Sequence, residues 1–242
     1  MGSDLVAKIL RVGVPSAWAE LEASFTESVR RLGIPAPEVR EVATVEGRPA
    51  ILFRLVDGPS MWTRMRDDRA SIPDLVGQLV DIQRDIHTSG VPEHLPSLVT
   101  RMRRKLEASK ELSAAEHHEA DDLLRSLPSG CALLHGDLHP GNILFDDEGP
   151  VVVDWFDVTV GHPVADLART ALLVRSVGAT DLRHLPGATP SVVSEIEHCY
   201  LEQISQTASN EFESWMRLTA ASRLAERTDN DSGGLLQLWR AR

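Results

Sequence analysis

The feature that most constrains this chain is the stretch "LLHGDLHPGNILFDDEGPVVVDWFD", residues 133 to 157, which sets carboxylates and an amide at the edges of apolar runs. Gly136, Pro140 and Gly141 are turn-formers, so "HGDLHPGN" continues neither as helix nor as strand and holds Asp137 and Asn142 on a compact loop. Asn142 opens a short strand, "NILF"; after a turn at "DDEGP", "VVVD" is its partner and ends on Asp154. Such a hairpin brings Asn142 and Asp154 together. An amide and a carboxylate offering oxygens to one point suit a hard cation such as Mg²⁺, with water and phosphate completing its shell. Asp137, near the pair but not needed by the metal, is then free to act as a base. Any one of Asp137, Asn142, Asp154 and Asp157 alone reads better as a turn or helix cap. Together, around one apolar hairpin, they read as a site.

The rest of the chain divides in two. "DLVAKILRV" reads as a strand, "SAWAELEASFTESVRRLG" as a helix capped by Ser16 with an apolar stripe of Trp18, Leu21, Phe25, Val29 and Leu32, and residues 38 to 60 as a hairpin turning at Gly47. From there helical periodicity takes over, at about 72–88, 97–108, 113–127, 163–177, 190–206, 210–227 and 232–240. The expected organisation is a small β-rich lobe over residues 1–58 and a larger, mostly helical lobe over 59–242, with the hinge at "VDGPSM" and a binding cleft between them.

Composition excludes some partners. A net charge of −11 is opposed to nonspecific nucleic-acid binding, which needs a basic surface, and would suit a cationic ligand. No apolar run is long enough to cross a membrane, and "MGSDLVAKILRVG" lacks the apolar core of a signal peptide, so a cytoplasmic protein is expected. Two cysteines, Cys131 and Cys199, make neither a disulfide framework nor a Cys-pair zinc site, which suits a reducing compartment.

"HGDLHPGN" followed by "VVVDWFD" and "GHPVADLART" resembles the aminoglycoside phosphotransferase and choline kinase-like family, relatives of the protein kinases, over about residues 5 to 175. The resemblance implies an α+β, protein kinase-like two-lobe fold and transfer of a phosphoryl group from ATP, with GTP as an open alternative, to a hydroxyl of a small molecule. Carried onto this chain, it makes Asp137 the catalytic base and Asn142 and Asp154 the ligands of one or two Mg²⁺ ions. Lys8, stranded in "LVAKILRV", would contact the ATP phosphates. Helical periodicity picks its partner: Glu22 borders the apolar face, whereas Glu20 shares a face with Ser24, Glu27 and Arg31. His135 and His139 are expected to shape the loop by hydrogen bonds, Asp157 to be an auxiliary acid, and Asp166 to tether the loop. Backbone groups from Phe53 to Gly58 would read the adenine. The acceptor would lie against the helices after residue 163, where Glu195, Glu197 and Glu202 could attract an amine or merely form a solvated face.

The chain departs from the family in two places. His162 stands where its members more often have Asp. The lysine strand begins at residue 4 or 5, leaving no room for the hairpin whose Gly-rich loop covers the nucleotide, so the small lobe is expected to be shortened at its N-terminal side. That departure keeps a non-catalytic kinase-like binding module open as an alternative. A peptide or protein hydroxyl is a second alternative, although no "APE"-like segment follows Asp154. A metal-dependent phosphoesterase would need further His and Asp clusters, and the remaining histidines show no ligand spacing.

Overall fold

The computed structural model describes residues 4–179, 188–205, 211–226 and 232–241. The small lobe is a three-stranded antiparallel sheet: β1 (Leu5–Ile9) and β2 (Val39–Val45) flank β3 (Arg48–Arg54), with Lys8 opposite Ile51. The β2–β3 turn is Glu46-Gly47, both at positive φ (51° and 74°), which matches the twist of a two-residue hairpin. α1 (Ser16–Arg31) lies on this sheet, and Ala19 and Ala23 pack on Ile51 and Phe53 as a core of its own.

Two expectations for α1 need correction. Pro15, not Ser16, occupies the cap position, and no side chain caps the helix; Ser16 is already helical. The buried face is Ala19, Glu22, Ala23, Thr26 and Val29, whereas Trp18, Leu21 and Leu32 are exposed. Small side chains let the helix approach the sheet closely, and the larger apolar ones are left at the margin. Glu22 therefore sits inside the buried face rather than beside it.

The chain crosses between lobes over residues 55–60 and runs tightly past the second hairpin. A Cβ at Gly58 would collide with the Phe145 carbonyl oxygen, and Phe145 N–H donates to the Pro59 carbonyl at 3.1 Å. A short helix that periodicity missed, α2 (Met61–Asp67), follows directly; Ser60 caps it by accepting from Thr63 N–H. The large lobe contains α3 (Ile72–Thr88), α4 (Leu98–Ala108), α5 (Ala114–Ser126), α6 (Pro163–Ala179), α7 (Pro190–Ile204), α8 (Phe212–Arg223) and α9 (Ser232–Arg240). α6 packs against both α7 and α8, and the fully buried Trp155, Tyr200, Trp215 and Trp239 fill the space between the helices. The expected helix ends at 206, 210 and 227 lie outside the described residues.

Two small ladders are set into this helical mass. β5 (Ile143–Phe145) pairs with β6 (Pro150–Val152) in the expected hairpin, but β6 stops at Val152, short of the expected end at Asp154, which turns off into a left-handed conformation. β4 (Ala132–Leu134) pairs with β7 (Thr159–Gly161), a long-range pairing that no local pattern announced. The two ladders bracket the loop of residues 135–142 and the turn that follows Val153. The result is a two-lobed α+β molecule with a cleft between the sheet of the small lobe and the β5–β6 hairpin.

Candidate active site

The loop between β4 and β5 is held from every side. His135 is fully buried: its Nδ1 accepts from Asp137 N–H at 3.2 Å, so its Nε2 carries the proton and donates to the Val153 carbonyl at 3.1 Å. One imidazole thus joins the start of the loop to the residue before Asp154. His139 caps the single 3₁₀ turn Pro140–Asn142 by accepting from Gly141 N–H at 3.0 Å, and burial pushes its pKa down toward the neutral ring that can accept. Asn142 donates through Nδ2 to the Asp137 carbonyl (2.9 Å) and carboxylate (3.3 Å), and Val153 N–H donates to the Asn142 carbonyl at 2.9 Å. Asn142 closes the 3₁₀ turn rather than opening the strand, which starts at Ile143.

Gly136 adopts φ 78°, and a Cβ there would strike the Asp157 carbonyl oxygen. Its N–H donates to Asp166 Oδ1 at 2.8 Å. Asp166 is buried with His87 (2.9 Å) and Gln83 (3.2 Å) on its other oxygen. Burial opposes its ionisation, yet the hydrogen bonds of His87 and Gly136 outweigh that and hold its pKa below the usual carboxylate range. Gly136→Ala combines left-handed strain with a collision against backbone that cannot retreat. We expect it to cost roughly 2–4 kcal/mol, lowering Tm by about 5–10 °C in a thermal melt. An unchanged Tm would mean the loop is not held this tightly.

Across the cleft, Lys8 Nζ donates to Glu22 Oε1 at 2.6 Å and to Asp154 Oδ1 at 2.9 Å, joining strand, helix and hairpin loop. Burial works against the charge on Lys8, but Asp154 and Glu22 outweigh it and raise the pKa. Burial raises that of Glu22 against the pull of Lys8. Asp154 sits at φ 66°, ψ 65°, a left-handed conformation tolerated by Asp and Asn, and this turns its side chain out of the β6 direction toward Lys8. These four residues, Lys8, Glu22, Asn142 and Asp154, line a cavity of about 250 Å³ whose other walls include Val6, Phe53 and Leu144. Arg54, Leu55 and Val56, within the segment expected to read the adenine, line it too.

Asp157 is placed apart from this group. It accepts from Arg101 (2.9 Å) and Lys105 (3.3 Å) of α4. Lys105 also pairs with Glu226 at 2.6 Å, and Glu226 with Arg169 at 2.9 Å. These residues border a second cleft, which meets the loop at Gly136. Sequence reading missed Arg101, Lys105, Arg169, Glu226, Gln83 and His87, because each is an ordinary residue within a helix whose partner lies far along the chain. Glu195 and Glu197 are already paired with Arg69 and Arg175, and Glu202 is exposed, so that face is solvated. His162 caps α6, accepting from Val164 N–H at 3.3 Å, and stacks on Trp215.

Fitness for Mg²⁺ can be judged from the donors. Mg²⁺ is ordinarily held by one or two protein oxygens and completes its octahedron with water and phosphate. Asn142 spends its amide N–H groups on Asp137, which leaves its oxygen as donor to the cavity, and Asp154 is 39% exposed there. The pair fits such an ion in company with a nucleotide. Among the described residues, no group of three or more His, Cys, Asp or Glu is gathered as a metal site, and no helix is long and apolar enough to cross a membrane.

Residues 2–188 match the model of the phosphotransferase enzyme family. The uncharacterized protein YcbJ of Bacillus subtilis (strain 168) is 29% identical over 182 residues, which is 68% of this chain; the chain spans 58% of the length of that curated relative. Among solved structures, aminoglycoside-3'-phosphotransferase of type VIII superposes with a TM-score of 0.62 at 21% identity, over 92% of this chain and 84% of its own. A thermostable mutant of aminoglycoside phosphotransferase APH(4)-Ia, in ternary complex with ADP and hygromycin B, gives 0.62 at 13% identity, over 99% and 87%. These likenesses show the two-lobe, kinase-like fold.

Proposed function

The chain belongs to the phosphotransferase enzyme family, and we propose that it moves the γ-phosphoryl group of ATP, with Mg²⁺, onto a hydroxyl of a small molecule. The observation that carries this reading is Lys8 held between Glu22 and Asp154, beside Asn142 and Asp137. Four polar residues from two lobes line one cavity, with Asp137 hydrogen-bonded to one of them, an arrangement too costly in desolvation to serve stability alone.

In the proposed reaction Asp137 accepts the proton of the acceptor hydroxyl as its oxygen bonds to the γ-phosphorus. The bond from that phosphorus to the bridging β–γ oxygen breaks, and ADP leaves. Lys8 holds the α- and β-phosphates, and Glu22 fixes Lys8. Asn142 and Asp154 would hold the metal, which would supply neutralisation of phosphate charge. The apolar walls around Phe53 and Leu144 suit adenine, its edge read by hinge backbone near Leu55 and Val56. The lobes of this reading divide at residues 58 and 59, within the crossing between β3 and α2. The two free thiols, Cys131 and Cys199, suit the cytoplasm.

Hygromycin B in a relative of the same fold supports a small-molecule acceptor. Arg169 stands beside Asp137, and the cations Arg101, Lys105 and Arg169 are matched by the carboxylates Asp157, Glu226 and Asp137. The net charge of −11 suits an acceptor that carries amines.

Calorimetric titration of ATP and of GTP, with and without Mg²⁺, tests the reading. Binding should require Mg²⁺, and Lys8→Ala should weaken it about 10–100-fold, the worth of one charge-assisted hydrogen bond. No binding at millimolar nucleotide would replace the kinase by a non-catalytic binding module.

A further inference from the structure

Asp166 and Arg169 are three residues apart on α6, so they project from one face a turn apart. Between them they grip a single residue of the loop. Asp166 Oδ1 accepts Gly136 N–H at 2.8 Å, and Arg169 Nε donates to the Gly136 carbonyl at 3.1 Å. Arg169 then reaches one residue further: its Nη2 lies 3.4 Å from Asp137 Oδ1 and 2.9 Å from Glu226 Oε2. Its side chain is 10% exposed.

We propose that Arg169 is a positioning residue for Asp137: it holds the Gly136 backbone and one carboxylate oxygen of Asp137, while Glu226 holds Arg169 itself. The proposal rests on the reading of Asp137 as the base. With Arg169 at Oδ1 and Asn142 at Oδ2, the carboxylate is fixed about its own torsion, and His135 fixes the backbone N–H of the same residue. The lone pair that must accept a proton then has one direction. Catalysis of phosphoryl transfer depends on such placement. A planar guanidinium can address a backbone carbonyl and two carboxylates at once; a lysine ammonium on a flexible stem cannot hold the same three in fixed geometry. A buried guanidinium also needs a full counter-charge, or it would not stay. Glu226 supplies it and is shared with Lys105, which continues to Asp157. The clamp thus runs from the base, through α6, to the end of α8 and back to α4.

The bland reading is that Arg169 merely ties α6 to the 3₁₀ turn Leu224–Glu226. Wild type, Arg169→Gln and Glu226→Gln separate the two. Hydrogen exchange is followed by mass spectrometry on peptides covering residues 133–145 and 5–23, Mg-AMP-PNP binding by calorimetry, and Mg-ATP hydrolysis, with water as acceptor, by ADP release. In Arg169→Gln, exchange over 133–145 should rise at least about tenfold while 5–23 is unchanged and Mg-AMP-PNP affinity stays within about twofold. kcat for hydrolysis should fall about 100-fold at constant KM for ATP, the expected effect of misplacing a reacting group by about 1 Å. Glu226→Gln should shift both in the same direction by a smaller factor, and it decides the matter if Arg169→Gln fails to fold. Unchanged loop exchange, or faster exchange spread evenly over both regions with kcat intact, would overturn the clamp. Wild-type protein that does not bind Mg-AMP-PNP would overturn the kinase reading instead, and loop exchange would still decide the clamp.

Discussion

Asp137→Asn should cut phosphoryl transfer by about two to four orders of magnitude while leaving Mg-nucleotide binding in place. The substitution keeps shape and removes only the ability to take a proton. The loop should survive it, because the Asp137 backbone makes two of the residue's hydrogen bonds: the N–H donates to His135 and the carbonyl accepts from Asn142. A general base contributes about 10²–10⁴-fold, so kcat should fall by that factor, about 3–5 kcal/mol in barrier height. Because nucleotide is held by other groups, its affinity should change by less than about twofold, and the loss should appear in kcat rather than KM. Turnover of Mg-ATP with the acceptor and calorimetric titration, run on the same preparation, check both halves. Transfer at more than about a tenth of the wild-type rate would remove Asp137 from the role of base.

Asp154→Asn should do the reverse, acting on binding first. Asn is the right replacement because residue 154 sits at φ 66°, where Asn is nearly as tolerant as Asp and Ala would add strain. The fold should therefore hold, with Lys8 still paired to Glu22 at its other contact. What is lost is the negative charge of a metal ligand. Changing a residue that only supports a ligand costs about 10–100-fold in metal affinity, so losing the charge of the ligand should weaken Mg-ATP binding by at least about 100-fold. Nucleotide binding without Mg²⁺ should change little, or improve slightly as repulsion toward phosphate falls. Equal weakening with and without Mg²⁺ would mean that Asp154 acts through Lys8 and not on the metal. Paired with Asp137→Asn, this variant separates the chemistry of transfer from the assembly of the metal–nucleotide complex.

The loop of residues 135–142 was legible in the chain because its residues are close in sequence. Gly136, Pro140 and Gly141 are local instructions, and the β5–β6 hairpin that brings Asn142 to Asp154 spans only a few residues. The Lys8–Glu22 pair was legible for a different reason. A charged residue in an apolar strand and another on an apolar helix face are both unfavourable alone, and each explains the other. Even so, the geometry differed from the pattern. The stripe of Trp18, Leu21 and Leu32 pointed to one face of α1, whereas the helix buries Ala19, Glu22, Ala23, Thr26 and Val29 and sets the small Ala19 and Ala23 against Ile51 and Phe53 of the sheet.

What the sequence determined by itself is which polar residues gather: that Asp137, Asn142 and Asp154 lie around one hairpin, that a lysine and a glutamate meet, and that a β-rich lobe precedes a helical one. These follow from turn residues, from periodicity and from the cost of isolated buried charge, all of which act locally along the chain. Tertiary structure alone decided how that chemistry is held. The β4–β7 pairing, the buried Asp166 with His87 and Gln83, and the Arg169–Glu226 pair join residues whose separations run from about 25 to 83 positions. Their types, Arg, Glu, Gln and His on amphipathic helices, are those of any solvated surface. Only packing of α3, α4, α6 and α8 around the loop removes them from water, and once there each needs the specific partner that the fold has placed beside it.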